Sequence, residues 1–301
     1  SIERTESNMD VFLDTCISTL TQGLIYALLS CGIYITYKIL DFPDLTVDGS
    51  FPLGAAVTAV LLTRGVNPWL TLAVAMAVGL TTGLIHVRLK VRDLLAGIIT
   101  MTALFSINLQ IAGSNLNVER AMKTIFTSKL AMGLMGSSTL MLRKLVISAA
   151  LVLVVKLLLD LYFRTKNGLL LRAVGDNDNV VTSLARDKGS VKILGLVIAN
   201  ALVALCGAVV CHEQRSFSAT MGTGQMVFGL AAVIIGSTLF RRLGFVKGTT
   251  AAIVGSIVYK ACIQLAITAG LPANLLKLIT AALFLVILVA GSTKGRSKAR
   301  A

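Results

Sequence analysis

The chain has 301 residues, of which 55% are hydrophobic and only 14% are charged, and its mean hydropathy is +0.84. Ordinary soluble domains carry roughly 25% charged residues, so this composition excludes a soluble globular protein and predicts a chain buried in lipid. The net charge of +14 comes from Lys and Arg that stand mostly in short gaps between apolar runs, which indicates control of membrane topology and not nucleic-acid binding.

Apolar runs bounded by charged or turn-forming residues predict an all-α, polytopic membrane protein in which residues 1–301 form a single transmembrane domain. The length allows about eight to ten helical spans of about 20 residues each, and no segment alternates as a barrel strand would. The predicted spans are Val11–Tyr37, Phe51–Thr63, Pro68–His86, Leu94–Ala112, Leu145–Phe163, Val191–Cys211, Gln225–Phe240, Val246–Ala269 and Pro272–Ala290. Residues 113–144 are mixed in character, and residues 168–190 are expected to form a polar loop.

The second predicted span is discontinuous. Phe51–Thr63 is too short to cross a bilayer alone at about 1.5 Å per residue, so the span must include part of the polar segment Asp44–Ser50. Pro43 and Pro52 lack backbone donors, and Gly49 permits a turn. Non-helical backbone survives at membrane depth only where protein or a water-filled cavity covers it. The segment therefore predicts a solute pathway, with an ordinary cytoplasmic loop as the alternative.

Two amides, Asn108 and Gln110, stand in the middle or at the end of the fourth predicted span. They either hydrogen-bond between helices or line a path, and the sequence does not separate these roles. Small residues at Gly195–Ala199 and Ala251–Gly255 predict close helix packing.

The distribution of Lys and Arg predicts the orientation of the spans. The basic C-terminal tail is expected in the cytoplasm, and the basic connections at 88–92, 164–192 and 241–247 fall on the same side. The N-terminus and the connections after Cys211 and at Gly270 are then outside. The loop 113–144 also lands outside, although it carries five basic residues.

The cytoplasmic connection contains residues that favour helix starts. Asp176–Asn179 are strong N-cap residues, and Val180–Arg186 can form a short amphipathic helix. Such a helix between two spans is suited to docking a soluble partner; an ordinary interfacial helix is the alternative.

Catalytic, metal and cofactor sites are not expected. The two histidines, His86 and His212, lack a second ligand at helical spacing, and the five cysteines lack paired metal spacing. No nucleophile elbow and no P-loop occurs. The chain is therefore expected to be a transport subunit and not an enzyme, and ATP hydrolysis would need a separate chain.

The chain resembles the permease subunits of ABC importers of the branched-chain amino acid and ribose type over about Thr19 to Ala290. The resemblance is carried by Pro43–Asp–Leu–Thr–Val–Asp–Gly49 with Gly54–Ala55, Leu95–Ala–Gly–Ile–Ile–Thr–Met–Thr–Ala–Leu104 with Asn108, Leu171–Arg–Ala–Val–Gly–Asp–Asn177 and Gly229–Leu–Ala–Ala–Val–Ile–Ile–Gly236. The first stretch is similar to a subgroup found beside binding proteins assigned to tryptophan or tyrosine.

This resemblance implies two permease copies with the path at their interface, cytoplasmic ABC ATPase subunits, an extracytoplasmic solute-binding protein and import by alternating access across a bacterial cell membrane. The implied substrate-path residues are Asp44, Thr46, Asp48, Gly49 and Asn108. The implied ATPase-coupling residues are Arg172, Gly175, Asp176, Asn177, Asn179, Ser183 and Arg186. The solute implied is a small molecule, an amino acid or a related polar compound.

Two positions depart from the family pattern. The stretch Arg186–Gly189 is more charged than expected after the coupling residues, and Ser237 replaces an acidic residue after Gly236. A secondary transporter or channel that works without an ATPase is the alternative function. It would normally require an ion-coupling carboxylate deep in a span, where only Asp44 and Asp48 are candidates.

Overall fold

The computed structural model describes residues 2–88, 93–135, 139–176, 188–240 and 246–270, together with a few positions between 275 and 286. Most of this part of the chain is helical. The helices are α1 (Ile2–Ile33, continued by a π-helical segment, Tyr34–Ile39), α2 (Val47–Thr63), α3 (Pro68–Arg88), α4 (Asp93–Ala112), α5 (Lys129–Met135), α6 (Leu140–Tyr162), α7 (Lys166–Asp176), α8 (Lys188–Gln214), α9 (Gln225–Leu239) and α10 (Gly248–Thr268). Two short strands, β1 (Asn115–Asn117) and β2 (Ser216–Ser218), complete the described elements.

The lengths of the helices confirm the predicted polytopic membrane protein. Within the described ranges, 5 helical stretches are long and apolar enough to cross a membrane, namely Phe12–Ile39, Leu95–Ala112, Leu140–Tyr162, Val191–Gln214 and Gly248–Thr268. The helices α2, α3 and α9 are shorter and also apolar. Together they correspond to every predicted span except Pro272–Ala290, most of which lies outside the described residues.

Helix α8 forms the centre of the bundle. About 78% of its apolar window is buried within the chain, against 22% for α6, which therefore presents most of its surface to lipid or to a partner. Val203, Cys206 and Val209 of α8 are fully buried, and α8 packs against α1, α2 and α3. A helix that is apolar on every side is expected at such a central position.

Glycines bring α2 and α8 into backbone contact. Gly54 faces the carbonyl of Ala204, and Gly207 faces the carbonyl of Phe51; a Cβ at either glycine would overlap that carbonyl. Between apolar helices in a membrane, close van der Waals packing of this kind replaces the hydrophobic effect as the main stabilising contact.

The predicted packing of small residues is observed. Gly255 lies against the carbonyl of Ala232, and Gly236 lies against the carbonyl of Ala251, which joins α9 to α10. The carbonyl of Ala199 lies against Gly32 of α1.

Within the mixed segment 113–144, the described residues 113–135 form a cap at the end of the bundle predicted to lie outside. Strand β1 pairs antiparallel with β2, with Leu116 opposite Phe217. The guanidinium Nη1 of Arg215 approaches the carbonyls of Glu119, Arg120 and Met122 at 3.0, 3.2 and 2.9 Å. The following span begins at Leu140, earlier than predicted.

The prediction of a polar loop from residue 168 is wrong up to Asp176, because α7 occupies this stretch. The helix is amphipathic: Leu171 and Val174 are buried, whereas Arg172 is exposed. The contact between α7 and α8 supplies the burial that stabilises a helix of this length, since short helices are marginal without it.

Candidate functional site

The chain interrupts its helical course between the π-helical segment and α2. Residues 41–46 are not helical, and Asp41 adopts a left-handed conformation with φ of 56°. A non-helical stretch is therefore present, but it lies between the first span and α2, and α2 itself is one uninterrupted helix, so the predicted break within the second span is not observed. Asp48, Gly49 and Ser50 already belong to α2.

Gly49 does not make the predicted turn. It lies in the first turn of α2, where a Cβ would come within 3.0 Å of the Leu104 side chain and 3.2 Å of the Met101 Cα. The small size of Gly49 therefore allows α4 to approach α2. The left-handed turn falls instead on Asp41, and Asp is one of the residue types that tolerate this conformation.

The polar side chains of the interrupted segment form a buried network with α3 and α8. The network consists of Asp44, Thr46, Ser50, Thr82 and Asn200, which are all 2% exposed or less. Asn200 is its hub: its Nδ2 donates to Asp44 Oδ2 at 3.0 Å, and its Oδ1 accepts from Ser50 Oγ at 2.6 Å. Ser50 Oγ and Thr82 Oγ1 are 3.1 Å apart. The network fixes the non-helical backbone to two regular helices.

Thr46 links the two ends of this network. Its backbone N–H donates to Asp44 Oδ1 at 3.0 Å, and its hydroxyl lies 2.5 Å from Asp44 Oδ1 and 3.0 Å from Asn200 Oδ1. The hydroxyl carries one proton, so it donates to one of these oxygens at a time. The shorter distance and the charge of the carboxylate favour Asp44.

Asp48, Gly49 and Asn108 lie at a different place, around an open groove between α2 and α4. This α2–α4 groove has a volume of about 210 Å³ and is lined by Asp48, Gly49, Pro52, Met101, Thr102, Phe105, Asn108, Ala219 and Thr223. Asn108 is fully buried, its Nδ2 donates to the Gly49 carbonyl at 3.3 Å, and its Oδ1 has no hydrogen-bond partner among the described residues. A buried acceptor without a partner leaves capacity for a donor on a ligand.

The carboxylate of Asp48 is held by the start of α9. Its Oδ1 accepts from the Met226 N–H at 2.8 Å, and its Oδ2 accepts from the Gly224 N–H at 3.1 Å. Gly224 has φ of 87°, a conformation that favours glycine. The stretch Gly222–Thr–Gly224 thus positions the backbone donors that hold Asp48.

The groove has a definite chemical character. Its carboxylate and its free amide oxygen are both acceptors, and Met101 and Phe105 supply apolar surface beside them. Each carboxylate oxygen has a second acceptor direction, and Asp48 is only partly buried. The arrangement suits a small ligand that has a cationic hydrogen-bond donor and an apolar part.

The predicted coupling residues are only partly described. Arg172 lies on α7, and its guanidinium carbon is 5.1 Å from the centroid of the Phe163 ring. Gly175 and Asp176 form the end of α7. Asn177, Asn179, Ser183, Arg186 and the predicted helix Val180–Arg186 lie outside the described residues.

Two polar residues of the site were missed from the sequence. Thr82 and Asn200 belong to the buried network, and Asn200 stands in the middle of an apolar run, where a polar side chain is costly. That position was the available signal.

Lys260 was also missed, although it carries the same signal, a polar side chain within an apolar run. It interrupts the apolar run of α10, and its Nζ is 3.6 Å from the centroid of the Tyr26 ring and 5.2 Å from that of the Phe228 ring. It does not line the α2–α4 groove.

The comparisons with known proteins agree with this architecture. Residues 15–288 match the family model described as the permease component of a branched-chain amino acid transport system. A protein named tyrosine transport system permease protein, from Clostridioides difficile, is 40% identical over 92% of this chain and 91% of its own length. An uncharacterized protein of Rickettsia prowazekii is 29% identical over 89% of this chain and 94% of its own length. No solved structure gives a significant match. On the extent of the family match, the chain belongs to the permease components of branched-chain amino acid transport systems.

Proposed function

We propose that this chain is the membrane-spanning subunit of an ATP-driven ABC importer and that it forms the translocation path for an amino acid by alternating access. The observation that carries the proposal is the α2–α4 groove, where Asp48 and the free Oδ1 of Asn108 lie beside Phe105. The permease family and the name of the relative that is 40% identical support tyrosine as the first solute to test.

The polar atoms of the groove match an amino acid at one end. The α-ammonium group donates to Asp48 and to Asn108 Oδ1, while the side chain of the solute packs on Met101 and Phe105. Among the described residues, no basic side chain lines this groove. The carboxylate of the solute therefore depends on a hydroxyl of the lining, that of Thr223, because the Thr102 hydroxyl already donates to the Ile98 carbonyl at 2.8 Å.

A second copy of the permease completes the path in this proposal. The groove is open on one side, and α4 beside it exposes large apolar side chains, including Ile99 at 50% and Phe105 at 43%. A polar groove open to lipid would leave acceptors without donors, which is unfavourable in hydrocarbon. A second copy packed on α4 would shield the groove and leave a closed path between the two chains.

The remaining parts of the importer are separate chains. ATPase subunits hydrolyse ATP and dock near Arg172 and the residues that follow Asp176, and an extracytoplasmic binding protein delivers the solute. The protein lies in the bacterial cell membrane with its C-terminus in the cytoplasm, as the distribution of basic residues predicts.

Uptake by reconstituted vesicles tests the proposal. The chain, the ATPase encoded beside it and the binding protein are expected to take up labelled tyrosine only when ATP is supplied. Asp48→Asn removes the charge that binds the ammonium group. A charge-assisted hydrogen bond is worth about 1.5–3 kcal/mol, so the half-saturating solute concentration is expected to rise about tenfold to a hundredfold.

Two controls keep this test specific. Thr81→Ala changes an exposed hydroxyl on α3 that bonds only to its own helix, and this variant should transport normally. Because Asp48 also holds the start of α9, the thermal stability of Asp48→Asn must be measured in parallel. Normal uptake by a stable Asp48→Asn protein would exclude the groove as the solute site.

Docking of the ATPase is tested by co-purification. The double variant Asp176→Lys and Asn179→Lys is expected to lose the ATPase, while the wild-type chain retains it. Retention by the double variant would remove this stretch from the coupling element.

A secondary transporter or channel is the second candidate function, and the burial of Asp44 favours it. A carboxylate that is 2% exposed at the break of a span is the kind of group that ion-coupled transporters use. Solute uptake in vesicles that contain this chain alone and no ATP would establish this function instead.

A further inference from the structure

A separate pocket lies where α6 ends and α10 begins, at the end of the bundle predicted to face the cytoplasm. This Arg164 pocket has a volume of about 330 Å³, and its lining includes Tyr34, Asp160, Phe163, Arg164, Arg172 and Lys247. The rings of Tyr34 and Phe163 meet edge to face with centroids 6.4 Å apart. The Tyr34 hydroxyl abuts Gly248, where any Cβ would overlap it. The pocket thus has an aromatic wall and a cationic rim.

The single acidic residue in this lining is already satisfied. Asp160 Oδ2 accepts from Lys247 Nζ at 2.8 Å and from Lys156 Nζ at 3.1 Å, and Oδ1 accepts from Thr249 at 2.7 Å. One of the two lysines is enough to balance the charge of this carboxylate.

Among the described residues, the two arginines have no such partner. The side chains of Arg164 and Arg172 make no hydrogen bond or ion pair in the part of the chain that the structure describes; Arg172 instead stacks its guanidinium on Phe163. Within the described lining, three cationic side chains therefore face one carboxylate, and the two guanidinium groups suit a phosphate, because each presents several N–H donors in one plane.

An exposed apolar stripe runs along α6 toward the end of the helix where this pocket lies. Leu153, Leu157 and Leu161 are 55%, 57% and 64% exposed. They are spaced four residues apart and therefore lie on one face of the helix, and Arg164 follows in the turn that ends the helix, where its N–H donates to the Leu161 carbonyl at 3.1 Å. One ligand with an apolar chain and an anionic head would contact the stripe and the pocket together.

We propose that the Arg164 pocket binds the headgroup phosphate of an anionic phospholipid whose acyl chain lies along Leu153, Leu157 and Leu161. Basic pockets between membrane helices on the cytoplasmic side suit such headgroups. A soluble acidic segment of a partner protein would use the charge of the pocket but not the stripe. The proposal is independent of the solute that the protein carries.

Lipid binding to the purified full-length chain tests this inference. Phosphatidylglycerol, phosphatidylcholine with the same acyl chains, or inorganic phosphate is added in a neutral detergent, and binding is followed by native mass spectrometry and by thermal unfolding. Wild type is expected to bind phosphatidylglycerol and to unfold at a higher temperature in its presence. Phosphatidylcholine and inorganic phosphate should have little effect.

Arg164→Gln is the decisive variant. Loss of one charge-assisted hydrogen bond should weaken phosphatidylglycerol binding about tenfold or more. Lys166→Gln is the matched control, because Lys166 is exposed two residues away and does not line the pocket, and it should bind like wild type. If Arg164→Gln is not monodisperse, Lys247→Gln takes its place.

Three outcomes would overturn the inference. Arg164→Gln could bind phosphatidylglycerol as wild type does, or phosphatidylcholine could bind equally well. Inorganic phosphate could reproduce the whole effect, which would make the pocket a site for soluble anions. If Arg164→Gln retains lipid binding but loses the co-purifying ATPase, the pocket is a protein contact instead.

Discussion

The substitution Asn200→Ala tests whether the buried polar network holds the interrupted segment in place. Asn200 donates to Asp44 at 3.0 Å and accepts from Ser50 at 2.6 Å. After the substitution, Ser50 retains Thr82 at 3.1 Å, and the Thr46 hydroxyl retains Asp44. The main loss is therefore the amide donor to the Asp44 carboxylate.

The size of this loss can be bounded. A hydrogen bond to a charged group contributes about 1.5–3 kcal/mol in soluble proteins, whereas hydrogen bonds between membrane helices average about 0.6 kcal/mol. With two bonds to other elements removed, we expect a loss of about 1–3 kcal/mol in the free energy of unfolding. At about 2–4 °C per kcal/mol for a chain somewhat smaller than this one, the midpoint of thermal unfolding in detergent should fall by about 2–12 °C.

Asn200→Asp provides the matched comparison. It retains the shape of Asn200 but places a second carboxyl group beside Asp44, so it should destabilise the protein more than Asn200→Ala does. Thr81→Ala, on the exposed face of α3, should change the free energy of unfolding by no more than about 0.5 kcal/mol. If Asn200→Ala and Asn200→Asp both unfold at the wild-type temperature, the network does not stabilise the break.

Three further substitutions test other parts of the structure. Gly54→Ala should destabilise the protein, because its methyl group would meet the Ala204 carbonyl. Gly133→Ala is the control: its methyl group has open space in a helix, so the variant should be neutral or slightly stabilised. The midpoints of thermal unfolding compare the two variants. Arg215→Ala removes the donor shared by three carbonyls of the outer cap, so hydrogen exchange and proteolysis should increase within residues 113–128 while the helices keep their protection. Lys260→Met replaces a cation within a span by an apolar side chain of similar length, so the chain should remain folded and unfold at the same or a higher temperature. A lower unfolding temperature would contradict this expectation and would show that the aromatic contacts of Lys260 contribute more than its desolvation costs.

The outline of the fold could be predicted because each span carries its own signal. A run of apolar residues about 20 long is stable in lipid only as a helix, and the ends of such runs are marked by charge or by Pro and Gly. The described helices therefore fall close to the predicted spans. The failures lie where the stretch is amphipathic, as in α7, whose Leu171 and Val174 need α8 for burial.

The candidate site was predicted less completely. Asp44 and Asp48 are four residues apart, and the sequence indicated only that both lie at the break. In the structure Asp44 joins a buried network through Asn200, whereas Asp48 joins a groove and receives N–H groups from α9. The partners are 156 and 178 residues away from the two aspartates in the chain, so no local pattern could have identified them.

By itself, the sequence determined that this protein is a bundle of membrane helices with a polar, non-helical stretch beside the second span, since hydropathy and backbone hydrogen bonding in lipid act within each segment. Only the tertiary structure decided which faces of the helices meet, which polar groups satisfy one another and which remain open to a ligand. These properties depend on contacts between segments that are distant in sequence, and such contacts are set by packing at a few small residues. The neighbouring residues Asp48 and Gly49 line the groove, while Asp44 lies buried nearby, because α4 and α9 approach α2 at one place and α8 approaches it at another.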